Sequence, residues 1–154
     1  MSTYVDANAL MRLYLQLPRH EDVLRELTGK NARPSWPFPV TDLLRLEVVN
    51  GVQRMLFECR SEGPWRVTPE SAQLAMAQFE HHLDAGDFLR RSPLALVELE
   101  GEFVALAMPH TPTQGFRTCD LLHVASAVEL GARRFVSFDN KANALARIVG
   151  MDTF

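Results

Sequence analysis

The sequence predicts an α/β fold, a three-layer sandwich in which helices flank a mainly parallel central sheet. Short apolar runs alternate along the chain with longer segments whose apolar residues recur at helical spacing. Proline and glycine lie between these segments, as is typical of loops. The chain has 154 residues, of which 47% are hydrophobic and 23% charged, so we expect a single domain over residues 1–154.

The first third of the chain is predicted to hold two strand–helix pairs. Thr3-Tyr4-Val5 is a short apolar strand, and the apolar residues over 10–17 have helical spacing. A cluster of prolines predicts a stiff loop over 31–39. A second strand is predicted over 38–41, after which Thr41 caps a helix that ends at Gly63-Pro64.

The middle of the chain begins with a helix start. Thr68 and Pro69 are typical of the N-cap and of the first helical position, but Ser71 stands where a capping box usually has an acid. Three elements are then expected, namely a helix to residue 85, a strand over 87–91 and a helix over 93–107 that the following prolines stop.

The last third has the clearest pattern. Thr118 is expected to cap a helix over 119–130 that Gly131 ends. An apolar strand over 134–138 and a last helix over 140–149 follow. Strands that are repeatedly separated by helices favour parallel pairing, because the crossover connections return each strand in the same direction.

Composition excludes several classes of protein. Sixteen Lys+Arg against nineteen Asp+Glu give a net charge of −3 and a pI near 5.9, so the whole molecule lacks the basic field of a general nucleic-acid binder. Two cysteines without a CxxC pair argue against a zinc finger or a disulfide scaffold. The chain shows no signal peptide and no apolar run of about 18 residues, so we expect a cytoplasmic protein without a membrane span.

Two aspartates directly follow predicted strands. Asp6 comes after Tyr4-Val5, and Asp139 comes after the apolar run 135–138. Because parallel strands present functional groups beyond their carboxyl ends, neighbouring strands would place both carboxylates in one crevice. Either residue alone also fits a helix cap or a turn.

Two further acids lie in apolar helical segments. Glu47 lies beside the apolar stripe of its helix, and Asp120 opens a helix that is apolar nearly all round, where an unpaired carboxylate is costly. Both acids could have a purely structural role. Either could form an ion pair with Arg45 or Arg117, and Asp120 could simply favour a helix N-terminus. Four converging acids in a chain with few lysines more naturally bind a hard divalent cation.

Four segments together resemble the PIN domain. They are Tyr4-Val5-Asp6-Ala7-Asn8-Ala9-Leu10, Leu46-Glu47-Val48, the segment 117–127 around Asp120, and Phe135-Val136-Ser137-Phe138-Asp139. Their order and placement match the family, and the resemblance spans nearly the full chain. Family members of similar size are the VapC-type ribonuclease toxins of type II toxin–antitoxin modules.

The resemblance implies a metal-dependent endoribonuclease with a PIN-like sandwich. The residues to which it assigns catalysis and the binding of Mg²⁺ or Mn²⁺ are Asp6, Glu47, Asp120 and Asp139. Asn8 and Ser137 match polar positions that support such a site. We further expect an RNA substrate, a homodimer, and a small antitoxin whose arginine-bearing segment bridges carboxylates. An edge strand after Gly150 is expected to be short or absent.

Other functions are open on sequence grounds. A haloacid-dehalogenase-like phosphatase would need a second acid where Asn8 stands, and a receiver domain would need an acidic pair after its first strand. A PIN-like fold without catalysis would be an RNA- or protein-binding module, and a PIN nuclease without an antitoxin would have a housekeeping role. The four intact acids favour the enzyme.

Histidine and cysteine patterns are weaker. No two histidines have HExxH or i,i+4 spacing, so a histidine-based metal site is not predicted. His123, one turn after Asp120, is expected to be a hydrogen-bonded core residue near the acids. Cys119 is expected to be a buried small apolar residue.

Overall fold

The computed structural model describes residues 2–29, 35–62 and 65–154. The strands and helices along these ranges are β1 (Thr3–Val5), α1 (Ala7–Leu15), α2 (His20–Thr28), β2 (Phe38–Val40), α3 (Asp42–Glu58), α4 (Pro69–Ala85), β3 (Leu89–Arg91), α5 (Leu96–Gln114), α6 (Thr118–Glu129), β4 (Arg134–Val136), α7 (Asn140–Ile148) and β5 (Asp152–Thr153). Residues 31–34 of the predicted loop lie outside the described residues, as does Gly63-Pro64. The helix predicted to end at Gly63-Pro64 already ends at Glu58, where the backbone N of Cys59 donates to the carbonyl of Met55 and closes the last turn. In the described ranges, no helix combines the length and apolarity needed to cross a membrane.

The strand pairs of the described residues are parallel and form two small sheets. The larger sheet has the order β1-β4-β5, with Val5 opposite Val136. The smaller sheet pairs β2 with β3, with Phe38 opposite Leu89, and β1 lies against β2. The predicted α/β class with parallel strands is therefore confirmed. The edge strand β5, which follows Gly150, is only two residues long.

The core is built around the pairing of β1 with β4. Tyr4 and Phe135 face each other across this ladder and stack, with ring centroids 5.6 Å apart and planes 4° apart. Both rings are fully buried, as are Leu10 of α1 and Leu44 of α3. Burial of each such side chain contributes about 1.5–3 kcal/mol before entropy costs. The carboxyl ends of β1 and β4 are thereby held side by side.

A close approach of α1 and α3 brings a third element to the same place. A Cβ atom at Gly51 would lie 2.0 Å from Sδ of Met11, so the absence of a side chain at Gly51 permits this packing. Glu47 lies one turn before Gly51 on α3. The packing therefore sets Glu47 beside the start of α1.

Two predicted helix starts are confirmed in detail. The Thr41 hydroxyl accepts a hydrogen bond from the Leu44 backbone N at 3.1 Å and caps α3. At α4, Oγ of Ser71 accepts from the backbone N of Thr68 at 2.9 Å while Oγ1 of Thr68 accepts from the backbone N of Ser71. Serine completes this capping box in place of an acid because its hydroxyl is also an acceptor.

The predicted stop at Pro109 and Pro112 is wrong, since α5 continues through both prolines to Gln114. Each proline removes one hydrogen bond to the carbonyl four residues earlier, at Ala105 and Met108. Ala105 and Met108 are both exposed, so water can satisfy those carbonyls and the helix persists.

Two further helices differ from the sequence prediction, one in its first residue and one in that it was not predicted at all. Thr118 is the first residue of α6, and Arg117 occupies the cap position, where its backbone N donates to Asp120. The helix α2 was not predicted, because it follows Pro18 and buries only Val23 and Leu27. Its remaining residues are mostly polar, so it lacks a broad apolar stripe.

Candidate metal centre

All four predicted acids line one cavity of about 410 Å³ at the carboxyl ends of β1 and β4. The cavity is lined by Asp6, Asn8, Met11, Glu47, Arg117, Thr118, Cys119, Asp120, His123, Asp139 and Ala142. Parallel pairing of β1 with β4 brings Asp6 and Asp139 to this edge, as the sequence predicted. The helices α3 and α6 contribute Glu47 and Asp120.

Asp6 is buried, and four hydrogen bonds fix its backbone N and its carboxylate. Its backbone N donates to the carbonyl of Val136, and its Oδ1 accepts from the backbone N of Ala7 at 2.7 Å, which caps α1. Its Oδ2 accepts from Nδ2 of Asn8 at 2.8 Å and from Oγ of Ser137 at 2.7 Å. Asp6 is thus both a helix cap and a fixed member of the cavity wall.

Asn8 and Ser137, the two predicted supporting residues, join the ends of the two strands. Nδ2 of Asn8 donates to Oγ of Ser137 at 2.9 Å, and Oδ1 of Asn8 accepts from the backbone N of Phe138 at 2.9 Å. The backbone N of Asp139 in turn donates to Oγ of Ser137 at 3.0 Å. This network sets the spacing between the Asp6 and Asp139 backbones.

Burial raises the pKa of the Asp6 carboxyl above its ordinary value. His123 and the hydrogen bonds from Ser137 and Ala7 act in the opposite direction, and the nearby Glu47 contributes a smaller increase. Desolvation thus outweighs repulsion between carboxylates at Asp6.

Glu47 and His123 face Asp6 from two different helices. Nε2 of His123 contacts Oε2 of Glu47 and lies 3.8 Å from Oδ1 of Asp6. The His123 side chain is 4% exposed, whereas that of Glu47 is 40% exposed at the cavity. One ligand atom from each of the three residues lies within 4.8 Å of the other two.

His123 is therefore a site residue that sequence reasoning missed. The expectation that it is a hydrogen-bonded core residue near the acids is confirmed, since Tyr4 Oη lies 2.9 Å from its Nδ1. Its position one turn after Asp120 on α6 was the available signal. Burial lowers the His123 pKa, but the hydrogen bond to Glu47 and the charge of Asp6 outweigh burial and raise it.

Asp120 and Asp139 form the other half of the cavity and are joined by Arg117. Oδ2 of Asp120 accepts from Nε of Arg117 at 3.0 Å, and its Oδ1 accepts from Nη2 at 2.9 Å. The same Nη2 donates to Oδ2 of Asp139 at 2.5 Å. The sequence offers an ion pair with Arg45 or Arg117 as a structural reason for the acids in the helices. The pair of Arg117 with Asp120 is present. Arg45 instead pairs with Glu80, so it does not neutralise Glu47.

The Asp139 carboxylate also caps α7. Its Oδ1 accepts from the backbone N of Lys141 at 2.8 Å and of Ala142 at 3.2 Å. Partial burial raises the pKa of Asp139, but these two backbone donors and the Arg117 guanidinium outweigh burial and hold it below its ordinary value. Asp139 is therefore ionised under neutral conditions.

Cys119 differs from its prediction as a buried residue. It is exposed and lines the cavity, because the first turn of α6 leaves it on the open side of the helix while Asp120 turns inward. Desolvation raises the pKa of its thiol, and the nearby acids Glu47 and Asp120 raise it further. The thiol is thus unsuited to act as a nucleophile at neutral pH.

The geometry divides the cavity chemically. Asp6, Glu47 and His123 converge in a way that can hold a divalent cation, whereas Asp120 and Asp139 already share the guanidinium of Arg117.

Comparison of the chain with protein families finds no match, and comparison with curated proteins finds none either.

Proposed function

We propose that this chain is a metal-dependent endoribonuclease of the PIN-domain kind that acts as the toxin of a toxin–antitoxin pair. The observation that carries the proposal is the convergence of Asp6, Glu47 and His123 within 4.8 Å at the carboxyl ends of two paired parallel strands. Ligands and reactants bind at this edge in open parallel sheets.

The donor set fits a divalent metal ion. Two carboxylates and an imidazole suit Mn²⁺, and the carboxylates also suit Mg²⁺. Such an ion, when bound, activates water and neutralises charge on a phosphoryl group. The assignment of Asp120 and Asp139 as further metal ligands stays a prediction from the sequence. In this structure both carboxylates pair with Arg117.

The residues around these donors have separate tasks. Asn8 and Ser137 orient the Asp6 carboxylate, and Tyr4 orients the His123 ring. Glu47 is the most exposed of the three donors, so its carboxylate is placed to orient a water molecule at the cavity mouth. General base action requires the carboxylate to lie within hydrogen-bond reach of the water proton that it removes.

The PIN-like three-layer sandwich belongs to the same proposal. Its support is that the helices pack in two sets beside the parallel strands. The helix α1 packs against α2, α3 and α4, whereas α6 packs against α5 and α7. Two such sets are expected when helices cover both faces of a sheet.

An RNA substrate, a homodimer and an arginine-bearing antitoxin complete the proposal. The bridge from Arg117 to Asp120 and Asp139 supports the last of these, because it demonstrates that a guanidinium fits between two carboxylates of this cavity.

The test is cleavage of total RNA with and without Mg²⁺, comparing the wild type with Asp6→Asn. Asp84→Asn is the matched control, because the Asp84 side chain is 73% exposed on α4 and does not line the cavity. We expect Mg²⁺-dependent cleavage by the wild type and the control, and none by Asp6→Asn. Equal cleavage in excess EDTA would refute the proposal.

A second candidate, a catalytically silent RNA- or protein-binding module, is favoured by one observation. Arg117 already neutralises part of the acid cluster through its ion pairs with Asp120 and Asp139. In that case RNA would bind without being cut under any metal condition. A housekeeping nuclease without an antitoxin would instead cleave RNA and lack a co-expressed inhibitor.

A further inference from the structure

We infer that Arg117 is the phosphate-binding residue of the cavity, with its guanidinium fixed by Asp120 and Asp139 and its Nη1 edge offered to a phosphate oxygen of single-stranded RNA. The inference deepens the proposed ribonuclease function and rests on it. It gives a role to an arginine that joins two of the predicted metal ligands.

The contacts of Arg117 leave one edge of its guanidinium available. Nε and Nη2 donate to Asp120 at 3.0 and 2.9 Å, and Nη2 donates again to Asp139. These three bonds use three of the five N–H groups of a guanidinium. Within the described residues, no group bonds to Nη1. Its two N–H groups are therefore available to an oxygen acceptor from outside.

The exposed fractions of the side chains indicate that the Arg117 guanidinium lies on the open side of the cavity. The Arg117 side chain is 65% exposed, whereas its partners Asp120 and Asp139 are 6% and 28% exposed. The positive charge thus lies between the acids and the solvent. An approaching RNA strand would meet the guanidinium before it meets those two carboxylates.

The charge balance explains why an acid-lined cavity needs such a cation. Unscreened carboxylates repel a phosphodiester, and a metal ion at Asp6, Glu47 and His123 would offset only one half of the cluster. Arg117 offsets the other half. A guanidinium can bind both aspartates through Nε and Nη2 and still donate from Nη1 to a phosphate oxygen.

The segment that carries Arg117 is fixed at its start. Nζ of Lys141 donates to the carbonyl of Gly115 at 2.8 Å and to that of Gln114 at 3.3 Å. Gly115 ends α5 with a φ of 65°, a left-handed conformation that favours glycine. With both its backbone and its side chain anchored, Arg117 loses little further freedom when it binds an anion.

A competing role for the same contacts is inhibition. Arg117 would then occupy the place of a second metal ion and would have to leave before catalysis. The two roles predict opposite effects of removing the guanidinium. Loss of a phosphate ligand weakens RNA binding, whereas loss of an inhibitor increases cleavage and allows a second ion to bind.

The experiment measures RNA binding by fluorescence anisotropy over a range of salt concentrations. The probe is a fluorescently labelled single-stranded RNA, and every protein carries Asp6→Asn so that cleavage does not interfere. Arg117→Gln and Arg117→Lys are compared with the background protein. Arg25→Gln is the matched control, because Arg25 is 78% exposed on α2 and pairs with one aspartate. Thermal melting checks that each variant is folded.

We expect Arg117→Gln to weaken RNA binding about tenfold or more and to reduce the slope of log K against log salt by about 0.7, the value for one phosphate contact on a single strand. Arg117→Lys should keep the slope and lose part of the affinity, since one ammonium cannot reproduce the bonds to both aspartates and also donate to the phosphate. Arg25→Gln should change the RNA affinity and the salt slope less than Arg117→Gln does. A merely structural role of Arg117 would not move the salt slope.

Several results would overturn the inference. An unchanged affinity and slope in Arg117→Gln would do so, and the proposed function would survive if the wild type still cleaves RNA. Faster cleavage by Arg117→Gln with Asp6 restored, together with a second Mn²⁺ equivalent in calorimetry, would establish the inhibitory role instead. A wild type that neither binds nor cuts RNA would overturn both proposals.

Discussion

The phenol oxygen of Tyr4 lies 2.9 Å from Nδ1 of His123, with both side chains buried. The Tyr4 hydroxyl also interacts with Thr41 and Ser126, while the opposite ring nitrogen of His123 faces Asp6 and Glu47. A hydrogen bond to one nitrogen of a histidine sets which nitrogen offers its lone pair to a metal. Tyr4 therefore directs Nε2 of His123 toward the carboxylates.

Removing this hydroxyl is expected to weaken metal binding. Tyr4→Phe should lower the affinity for Mn²⁺ about 10–100-fold, the usual effect of losing such a supporting hydrogen bond. It should also lower the free energy of unfolding by about 1–3 kcal/mol, because the buried Nδ1 loses its partner. Tyr14→Phe is the matched control, since Tyr14 makes the same kind of bond to His82 outside the cavity. Equal Mn²⁺ affinity in both variants, measured by calorimetry, would contradict the role of Tyr4.

Asp6→Asn and Asp120→Asn are both expected to abolish cleavage while the fold survives, for different reasons. Asp6 is one of the three converging donors, so its loss should weaken Mn²⁺ binding in calorimetry. Asp120 holds Arg117, so its loss should leave Mn²⁺ binding largely intact. Cleavage should fall at least about 100-fold in each, because the lost contacts supply several kcal/mol in the transition state. If the two variants lost Mn²⁺ binding equally, Asp120 would be a ligand as the sequence predicted.

The metal-free protein is expected to lose stability as the pH rises. The folded state raises the pKa of both Asp6 and His123, so it binds their protons more tightly than the unfolded chain does. For Asp6 the loss begins near the unfolded pKa of about 4 and continues through the raised folded pKa. For His123 the contribution is complete below about 6.5 and is lost as the pH passes the raised folded pKa. Urea denaturation in EDTA across this range measures the slope.

Two controls accompany that titration. Asp6→Asn should flatten the curve at the acid end, because the variant side chain does not ionise. Saturating metal should restore stability at higher pH, by about 2.7 kcal/mol at a hundredfold excess over the dissociation constant. A curve that rises with pH between about 5 and 8 without metal would contradict the prediction.

An antitoxin arginine is expected to bind the half of the cavity that Arg117 leaves open. Expressed with the adjacent reading frame, the protein should co-purify with that product and be inactive until it is removed. Asp6→Asn should weaken the complex, whereas Asp139→Asn should affect it less, because Asp139 already pairs with Arg117. Affinity of each variant for the co-expressed protein is the measurement. A neighbouring frame without such a protein would leave the housekeeping nuclease in its place.

Local signals made part of the fold predictable. The helix α4 begins after Thr68 and ends at Ala85 as predicted, because its capping hydrogen bonds join residues only three positions apart. The course of α5 past Pro109 was not predictable, since it depends on the exposure of the carbonyl that the proline leaves unpaired. That exposure is a property of the packed molecule.

The candidate site divides in the same way. Convergence of Asp6 and Asp139 follows from two parallel strands, each of which is followed by an acid within three residues. The bridge from Arg117 to Asp139 and the contact of His123 with Glu47 depend on how α6 is rotated and on which elements pack against it. Spacing along the chain carries no information on those contacts between separate elements.

The two strand ends that build the cavity are synthesised far apart in time. Ser137, which holds the Asp6 carboxylate, follows it by 131 positions. The ribosome adds about 5–20 residues per second, so Ser137 is synthesised roughly 7–26 s after Asp6. A growing chain therefore has no complete cavity until β4 has emerged and paired with β1. If the chain is a nuclease, this delay keeps it inert toward the message from which it is being translated.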